Sequence, residues 1–387
     1  MKRLPASPGF SADVAAIQDA ISIRFNSLVY ELKRKGKPVI VMSLGEAFFR
    51  LPLLPMDGLP VPEIFHYSDS RGLPELRRRI CLFHRKRHGF STDPDREMII
   101  TPGSKAAIHM TLMSILNPGD EVLYPEPAWV SYSEQIKLCR GKPVGMPMGV
   151  PLRRFESYIT RKTKALILNN PHNPTGRLYT RAELRVIIEL AKRRGLWLLS
   201  DEAYSEFAPE GAFSSARSVA RDKSRVVVFN SLSKNFGMSG WRLGYAIGPE
   251  ELMGLVLKVN QHLLTCPATI LEHYAAAHFD RILALTRPQQ RKLLKRRGEI
   301  AAYMKKIGLE FAAGSSTFYF FVSIAPSALG SVEFCTRLLE ESQVSVVPGI
   351  GYGASCDRHV RVSIGTASAV DLRRGLDRLK SLIERTS

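Results

Sequence analysis

The chain has 387 residues, 45% of them hydrophobic, and carries a formal net charge of +19 at pH 7. This length allows two or more domains with large cores, and no run of 18 apolar residues exists, which excludes a membrane-spanning helix. The basic residues cluster on helical patterns without a helix-turn-helix, zinc-finger or RNA-recognition signature, so we expect solvated helix faces and no specific nucleic-acid partner.

The compartment is predicted from two further features of the sequence. The basic start of the chain is not followed by an apolar segment, so we expect no secretory signal. Five cysteines are scattered without C-x-x-C spacing. A reduced, cytoplasmic location fits this pattern best.

A helical pattern over about 12–35 opens the chain, and we expect residues 1–44 to pack with a smaller C-terminal domain. From 45 to 282, short apolar strands alternate with longer helical segments such as Ser104–Leu116, Arg181–Arg194 and Glu250–Gln261. The strand predictions are Val39–Leu44, Met98–Thr101, Glu121–Tyr124, Lys164–Leu168, Leu196–Ser200, Arg225–Phe229 and Leu243–Ile247. Near-continuous apolar strands between helices indicate an α/β domain whose sheet is covered on both faces.

From residue 283 to 387 the pattern predicts a smaller α+β domain. It begins with two helical stretches, one ending near 285 and one covering 288–306. The remaining predicted elements are strand Thr317–Ser323, helix 331–341, strands Val344–Val347 and His359–Ile364, and a final helix over 368–384.

Lys234 is the first candidate for chemistry, because a lysine at the end of a buried strand needs a use for its amine or its charge. Pyridoxal phosphate (PLP) uses such an amine, as a Schiff base that forms with neutral lysine. Ser231 and Arg242 stand three residues before and eight after it, and both can reach the phosphate of that cofactor. The S-x-x-K pattern also occurs in β-lactam-binding enzymes, but the Gly-rich tail and Arg242 favour PLP.

Asp201 ends another predicted strand, and ligands in α/β sheets bind at the carboxyl ends of strands. A carboxylate there can keep the pyridine nitrogen of PLP protonated and strengthen the ring as an electron sink. The alternative is an aspartate that caps the next helix. Tyr204, three residues on, can donate to the phenolic oxygen of the cofactor.

The loop 170–176 follows the strand that ends near Asn169, and its two prolines and one glycine stiffen it. Asn173 in this loop can donate an amide hydrogen bond to the same phenolic oxygen. A plain turn is the alternative.

Two further segments offer contacts to the cofactor. Thr101–Lys105 joins a strand to a helix, where free N–H groups and the helix dipole bind phosphate, although Gly–Ser helix starts are common. Trp129 offers a flat face for the pyridine ring, and a core tryptophan is the equally open alternative.

Arg361 lies inside an apolar strand, where a buried guanidinium needs an anionic partner. The α-carboxylate of an amino acid, bound by two hydrogen bonds, would supply one. A structural salt bridge is the alternative.

Taken together, these motifs resemble those of the aspartate aminotransferase superfamily of fold-type I PLP enzymes. Within it, the chain is similar to the bacterial aspartate/prephenate aminotransferase branch, over about 21–382. The resemblance rests on the N-P-T-G loop, Asp-Glu-Ala-Tyr, Ser-Leu-Ser-Lys, Gly-Trp-Arg-Leu-Gly and Pro-Ala-Trp-Val-Ser-Tyr. It implies a mostly parallel seven-stranded sheet, and an enzyme that moves an amino group from an L-amino acid to a 2-oxo acid by a ping-pong mechanism.

The resemblance also implies roles for single residues. Lys234 would form the Schiff base and Asp201 would contact the pyridine nitrogen, while Asn173 and Tyr204 would hold the phenolic oxygen. The phosphate would be bound by Ser104, the backbone of Lys105, Ser231 and Arg242. The α-carboxylate would be bound by Arg361 with the help of Asn173, Trp129 and the backbone at Gly45. Tyr67 matches a family tyrosine that reaches the phosphate of the neighbouring subunit, which implies a homodimer with shared sites.

Two departures from the family pattern concern the substrate. The family's Gly-Glu-Pro-Asp-Phe is replaced by Gly45-Glu46-Ala47-Phe48-Phe49, and a pocket lined by Phe48 and Phe49 would favour an aromatic or aliphatic amino acid. Met113 stands where the branch has a basic residue for a second carboxylate, and Arg24 is a candidate to compensate.

Two alternative functions remain at this stage. A PLP-dependent lyase, decarboxylase or oxidase would keep the cofactor and the fold but give ammonia or carbon dioxide, because fold alone does not decide function. A PLP-binding transcription regulator would need an N-terminal DNA-binding module, and only about 20 residues precede the matching region.

Overall fold

The computed structural model describes residues 9–387. The basic start of the chain, on which the expectation of no secretory signal depends, lies outside this range. Among the helices of residues 9–387, none is both long enough and apolar enough to cross a membrane.

Within residues 9–387, twelve strands form three sheets. The strands are β1 Ile40–Val41, β2 Met98–Thr101, β3 Glu121–Pro125, β4 Lys142–Met146, β5 Thr163–Asn169, β6 Trp197–Asp201, β7 Val226–Ser231, β8 Gly244–Ile247, β9 Tyr319–Ser323, β10 Val344–Ser345, β11 Val347–Pro348 and β12 His359–Ser363.

Thirteen α-helices complete the described part of the chain. They are α1 Ala12–Ala15, α2 Ile21–Arg34, α3 Pro74–His88, α4 Ser104–Ile115, α5 Ser131–Leu138, α6 Arg181–Arg193, α7 Ala216–Val219, α8 Leu232–Asn235, α9 Glu250–Leu263, α10 Thr269–Ala277, α11 Phe279–Lys306, α12 Ser331–Ser342 and α13 Ala369–Arg385.

The central sheet has the strand order β2-β8-β7-β6-β5-β3-β4. Its pairings are parallel except those of β8, which runs antiparallel to both of its neighbours. Separate hydrophobic clusters cover the sheet where helices pack on it. The predicted α/β fold with a mostly parallel seven-stranded sheet is therefore confirmed.

One strand of the central sheet, β4, was missed by the sequence analysis. Its sequence, Lys-Pro-Val-Gly-Met, is half-exposed along most of its length and contains two residues that are rare in strands. It lies at the edge of the sheet, where proline is tolerated. The predicted strand Val39–Leu44 belongs elsewhere, since only Ile40–Val41 is extended and it pairs with β10.

A three-stranded antiparallel sheet, in the order β11-β12-β9, lies in the C-terminal part of the chain. The predicted strand Val344–Val347 is divided between two sheets, as β10 and β11. Buried side chains of β9 and β12 pack with those of α12 and α13 in one cluster, which also contains Phe25 of α2 and Met42. The N-terminal segment therefore packs on C-terminal elements.

Two helix predictions were wrong in their boundaries. The helix expected over 12–35 is divided into α1 and α2, and the stretches on either side of residue 286 form one continuous helix, α11, with Pro288 inside it. Proline removes a backbone hydrogen bond, but the buried face of α11 continues from Leu283 to Gln290 and Leu293. We infer that packing on both sides of Pro288 outweighs the local loss. The division at 44/45 and 282/283 stays a prediction, and α11 crosses the second boundary.

Candidate active site

A cavity of about 200 Å³ lies where β5, β6 and β7 end. In a parallel sheet these carboxyl ends meet at one edge, and Asn169 and Asp201 are direct neighbours in register. Every residue predicted for the site except Tyr67 lines this cavity: Gly45, Ser104, Lys105, Trp129, Asn173, Asp201, Tyr204, Ser231, Lys234, Arg242 and Arg361. Residues up to 316 positions apart in sequence are thus brought together.

Lys234 lies in α8, directly after β7, and its ammonium donates a hydrogen bond to the carbonyl oxygen of Gly45. Burial lowers the pKa of Lys234 to about 8, and the nearby Arg361 lowers it as well, while the carboxylate of Glu46 raises it. About a tenth of this amine is therefore neutral at pH 7 and about half at pH 8, which supplies the neutral form that a nucleophile or base requires.

Asp201 is buried at the end of β6 and receives two hydrogen bonds. The hydroxyl of Tyr132 donates to Oδ2 at 2.5 Å, and the N–H of Ala203 donates to Oδ1 at 3.2 Å. Burial raises the pKa of Asp201, and both hydrogen bonds act against that rise. The contact with Ala203 resembles a turn, but the carboxyl group also lines the cavity, so local capping does not account for its position.

Asn169 joins the loop after β5 to the end of β6. Its side-chain amide donates to the carbonyl of Asp201 at 2.9 Å, and its Oδ1 accepts from the N–H of Asn173 at 2.6 Å. The amide of Asn173 in turn donates to the hydroxyl oxygen of Tyr204 at 3.4 Å. The loop 170–176 is therefore tied to the sheet rather than being a plain surface turn.

The start of α4 approaches β8 very closely. A Cβ atom on Gly244 would lie 2.2 Å from the backbone nitrogen of Ser104, and one on Gly103 would lie 2.5 Å from Arg242 Nη2. Arg242 donates to Ser233 Oγ at 3.1 Å and to the carbonyl of Ser239 at 2.8 Å. Helix N–H groups, a guanidinium and hydroxyls therefore surround this end of the cavity, as an anion site needs.

Trp129 and Lys105 lie side by side at the cavity wall. The Lys105 ammonium is 5.1 Å from the Trp129 ring centroid, and the same ring meets Tyr132 edge-on with centroids 5.3 Å apart. Burial, with help from Arg242, lowers the pKa of Lys105. Trp129 is half-buried with access to the cavity, so it is not simply a core residue.

Arg361 is 4% exposed, and Nη2 donates to the carbonyl of Ser43 at 2.7 Å. Its guanidinium lies 4.5 Å from the ring centroid of Tyr319. Within residues 9–387, Arg361 makes no ion pair, and its Nε has no hydrogen-bond partner. The structural salt bridge considered from the sequence is therefore absent there, and the charge faces the cavity.

Several residues expected near the substrate lie elsewhere. Phe48 is 74% exposed and Phe49 stacks on Phe207, and both line a neighbouring groove with Leu51–Leu54. The prediction that they line the substrate pocket was wrong. Met113 is exposed on α4 and does not line the cavity, and Arg24 lines an adjoining cleft. Tyr67 is 84% exposed.

Several residues that line the cavity were not predicted from the sequence, and neither was Tyr132, which contacts Asp201 without lining the cavity itself. Tyr132 stands in the Pro-Ala-Trp-Val-Ser-Tyr motif, three residues after Trp129, and Asn169 ends β5, so the signals that selected their neighbours could have found both. Ser233 and Ser239 flank Lys234 in the Gly/Ser-rich segment. Ser22, Asn26 and Tyr319 had no local signal, because only the packing of α2 and β9 brings them to the cavity.

Comparison with known proteins agrees with this geometry. The family model for aminotransferase class I and II matches residues 61–379. A probable aspartate/prephenate aminotransferase of Thermus aquaticus is 32% identical over 388 residues, covering 97% of this chain and 100% of the relative. An aromatic-amino-acid aminotransferase 2 of Thermococcus litoralis is 33% identical over 328 residues, covering 82% of this chain and 84% of the relative.

The fold has close counterparts among solved structures. The aspartate aminotransferase from Thermus thermophilus with maleate superimposes with a TM-score of 0.87 at 31% identity, over 97% of this chain and 100% of that chain. The fold and the sequence thus indicate the same family as the residues that line the cavity. The chain belongs to the class I and II aminotransferases, with the fold of aspartate aminotransferase, PLP fold type I.

Proposed function

We propose that the cavity holds pyridoxal 5′-phosphate and that the chain uses it to move an amino group from an L-amino acid to a 2-oxo acid. The observation that carries this proposal is the meeting in one cavity of a lysine of lowered pKa, a buried carboxyl group and a guanidinium that makes no ion pair within residues 9–387. The class I and II aminotransferases, to which the chain belongs, use this cofactor for transamination.

The residues present fit this cofactor. The Oδ1 of Asn173 and the Nε of Arg361 are buried and have no hydrogen-bond partner among residues 9–387, which leaves polar capacity for a ligand. Ser104, the backbone of Lys105, Ser231 and Arg242 would hold the phosphate, and Trp129 would cover one face of the ring. Because Gly244 has no side chain, no Cβ atom occupies the space beside the start of α4, and this phosphate-binding end of the cavity stays open for an anion.

When bound, PLP supplies an aldehyde that condenses with amines and a ring that accepts the electron pair of the Cα–H bond. Lys234 would be the amine that holds the cofactor at rest. Its Nζ would also hold and move the proton at the substrate Cα, which is general acid–base catalysis by one positioned amine.

Asp201, Asn173 and Tyr204 would tune the ring. The Asp201 carboxylate would hold a proton on the pyridine nitrogen, and Tyr132 keeps that carboxylate in place. The hydroxyl of Tyr204 and the amide of Asn173, which already contact each other, would donate to the phenolic oxygen.

Arg361 would bind the substrate α-carboxylate by two parallel hydrogen bonds. Asn173, Trp129 and Gly45 line the same cavity as Arg361, and Asn173, Trp129 and the backbone N–H of Gly45 would complete that subsite. The amino acid would thus be held with its Cα beside Lys234, which lies against the Gly45 carbonyl.

We further propose a homodimer in the cytoplasm. Tyr67 is 84% exposed and Phe65 77% exposed, which is unusual for aromatic side chains two residues apart. A second copy would cover them and bring Tyr67 to the phosphate end of the partner's cavity. The five cysteines are unpaired in residues 9–387, in agreement with a reducing compartment.

The proposal is tested by incubating the PLP-loaded protein with single amino acids and 2-oxo acids, including aspartate and phenylalanine. Paired formation of a new 2-oxo acid and a new amino acid is the expected result. Release of ammonia or carbon dioxide would instead support a lyase, decarboxylase or oxidase, a reading that the family does not favour. Borohydride reduction followed by peptide mapping should place the cofactor on Lys234, and a label elsewhere would refute that assignment.

A further inference from the structure

Tyr319 stands between the two halves of the site. Its hydroxyl oxygen lies 3.1 Å from that of Tyr204, and its ring lies 4.5 Å from the guanidinium of Arg361. Arg361 pairs with Phe321 in the register of β12 and β9, so Tyr319, two residues along, is its diagonal neighbour on the same face. One side chain therefore touches both the predicted ring contact and the predicted carboxylate contact.

Tyr319 is held firmly in this position. It is fully buried, and its ring packs edge-on against Tyr204 with centroids 5.6 Å apart. A Cβ atom on Gly45 would come within 3.3 Å of the Tyr319 hydroxyl, so glycine leaves room for that hydroxyl to line the cavity.

The direction of the hydrogen bond follows from counting protons. A phenol has one hydrogen to donate, and Tyr204 uses it on the cofactor if its proposed role is right. The Tyr319 hydroxyl must then donate to the Tyr204 oxygen. A hydrogen bond received by a donor group strengthens the bond that this group gives.

We propose that Tyr319 is a positioning residue, whose hydroxyl donates to Tyr204 and thereby directs and strengthens the hydrogen bond from Tyr204 to the phenolic oxygen. This inference rests on the proposed function. It goes beyond it because, among residues 9–387, the Tyr319 hydroxyl is hydrogen-bonded to Tyr204 and not to Lys234 or Asp201, so it would act through Tyr204.

The effect is read from the pH midpoint at which the visible absorption of the bound cofactor changes. Donors to the phenolic oxygen stabilise negative charge there and favour loss of the nearby proton, so the loss of such a donor raises the midpoint. Charged groups that face the same space also set its absolute value: Glu46, Lys105, Asp201, Lys234, Arg242 and Arg361. None of these is changed in the variants.

The experiment compares the PLP-loaded wild type with Tyr319→Phe, Tyr204→Phe and the double variant. Tyr319→Phe should raise the midpoint by about 0.3 pH unit or more, a modest shift that suits a cooperative effect on one hydrogen bond. Tyr204→Phe should raise it further. In the double variant, Tyr319→Phe should cause no further shift of the midpoint, because the Tyr204 hydroxyl through which Tyr319 acts is absent.

Tyr179→Phe is the matched control. Tyr179 is also buried and also packs on a guanidinium, that of Arg177 at 4.4 Å, but it does not line the cavity. Its variant should leave the midpoint unchanged, which separates a specific effect from the loss of any buried hydroxyl.

An unchanged midpoint in Tyr319→Phe, or an equal shift in both backgrounds, overturns the inference while leaving the proposed function intact. Failure of the wild type to bind PLP removes both. Thermal unfolding of each variant is recorded in parallel. If the midpoint also shifts in Tyr179→Phe, in proportion to its loss of stability, the inference is contradicted.

Discussion

The hydroxyl of Tyr132 donates to Oδ2 of Asp201 at 2.5 Å, between α5 and the end of β6. Both groups are buried, and burial raises the pKa of both. This hydrogen bond is the main contact that favours the ionised form of Asp201, the form that the proposed chemistry needs.

Tyr132→Phe should therefore weaken catalysis more than folding. Loss of a hydrogen bond to a charged group is worth about 1.5–3 kcal/mol, so we expect kcat/KM to fall by roughly 10- to 100-fold. Tyr303→Phe is the matched control, because Tyr303 donates to Asp377 at the same distance on the exposed surface. Equal activity in both variants would contradict the role of Tyr132.

Attachment of PLP to the cofactor-free protein should depend on pH through Lys234. Only the neutral amine attacks an aldehyde, and the pKa of Lys234 is lowered to about 8. The observed rate constant should fall about tenfold for each pH unit below that value and level off above it. Stopped-flow absorbance between pH 6 and 10 measures this profile.

Glu46→Gln tests the direction in which a neighbouring charge moves the midpoint of this pH profile. The carboxylate of Glu46 raises the pKa of Lys234, so its removal should move the midpoint to lower pH. A midpoint that moves upward, or a profile that keeps rising to pH 10, would show that burial does not set the proton affinity of this amine.

Glu202 offers a prediction about stability. It is fully buried beside Asp201, and its Oε1 accepts from the hydroxyl of Ser200 and from the N–H of Ala216. In the described part of the chain, its Oε2 has no hydrogen-bond partner. Burial raises its pKa from 4.5 to about 8. The folded state therefore holds this proton more tightly than the unfolded state, and the free energy of unfolding should fall as pH rises from about 4.5 to 8.

Glu202→Gln should remove this pH dependence. At pH 5 the variant and the wild type should unfold at similar denaturant concentrations, and by pH 8 the variant should be more stable by up to a few kcal/mol. Urea unfolding across this range is the measurement, with Glu189→Gln on the exposed face of α6 as control. If the free energies of unfolding of Glu202→Gln and wild type changed in parallel with pH, Glu202 would be ionised in the folded state.

The sequence predicted more of the site than of the fold's details. Asp201 ends a strand, and Lys234 and Asn173 follow strands within three and four residues. Because strand ends in a parallel sheet share one edge, their meeting could be inferred without coordinates. Tyr319 could not, since its place depends on how β9 packs beside the central sheet. Phe48 was misplaced for a different reason: its position three residues after Gly45 in sequence does not show which way the backbone turns its side chain.

Arg361→Lys should separate binding from chemistry. Lysine keeps the charge but cannot give two parallel hydrogen bonds to a carboxylate. We expect KM for the amino acid to rise by roughly 10- to 100-fold, the equivalent of one charge-assisted hydrogen bond, with a smaller effect on kcat. Arg337→Lys, in an exposed pair with Glu341, is the control. An unchanged KM would place the carboxylate site elsewhere.

The close packing of β8 against α4 gives the last prediction. Gly244→Ala would put a methyl group 2.2 Å from the nitrogen of Ser104, and backbone on both sides leaves no flexible group to give way. The start of α4 must then move, which should weaken PLP binding at least tenfold and cost about 1–3 kcal/mol of stability through overpacking.

Gly254→Ala is its counterpart, because a Cβ there would meet nothing within 4 Å in the middle of α9. Alanine should raise the unfolding free energy by up to about 1 kcal/mol and leave PLP affinity unchanged. Titration of the cofactor-free proteins with PLP measures the affinities, and titration with inorganic phosphate isolates the phosphate end. If Gly244→Ala binds both ligands as tightly as Gly254→Ala, the start of α4 is not the phosphate cradle, and the orientation proposed for the whole cofactor has to be reversed.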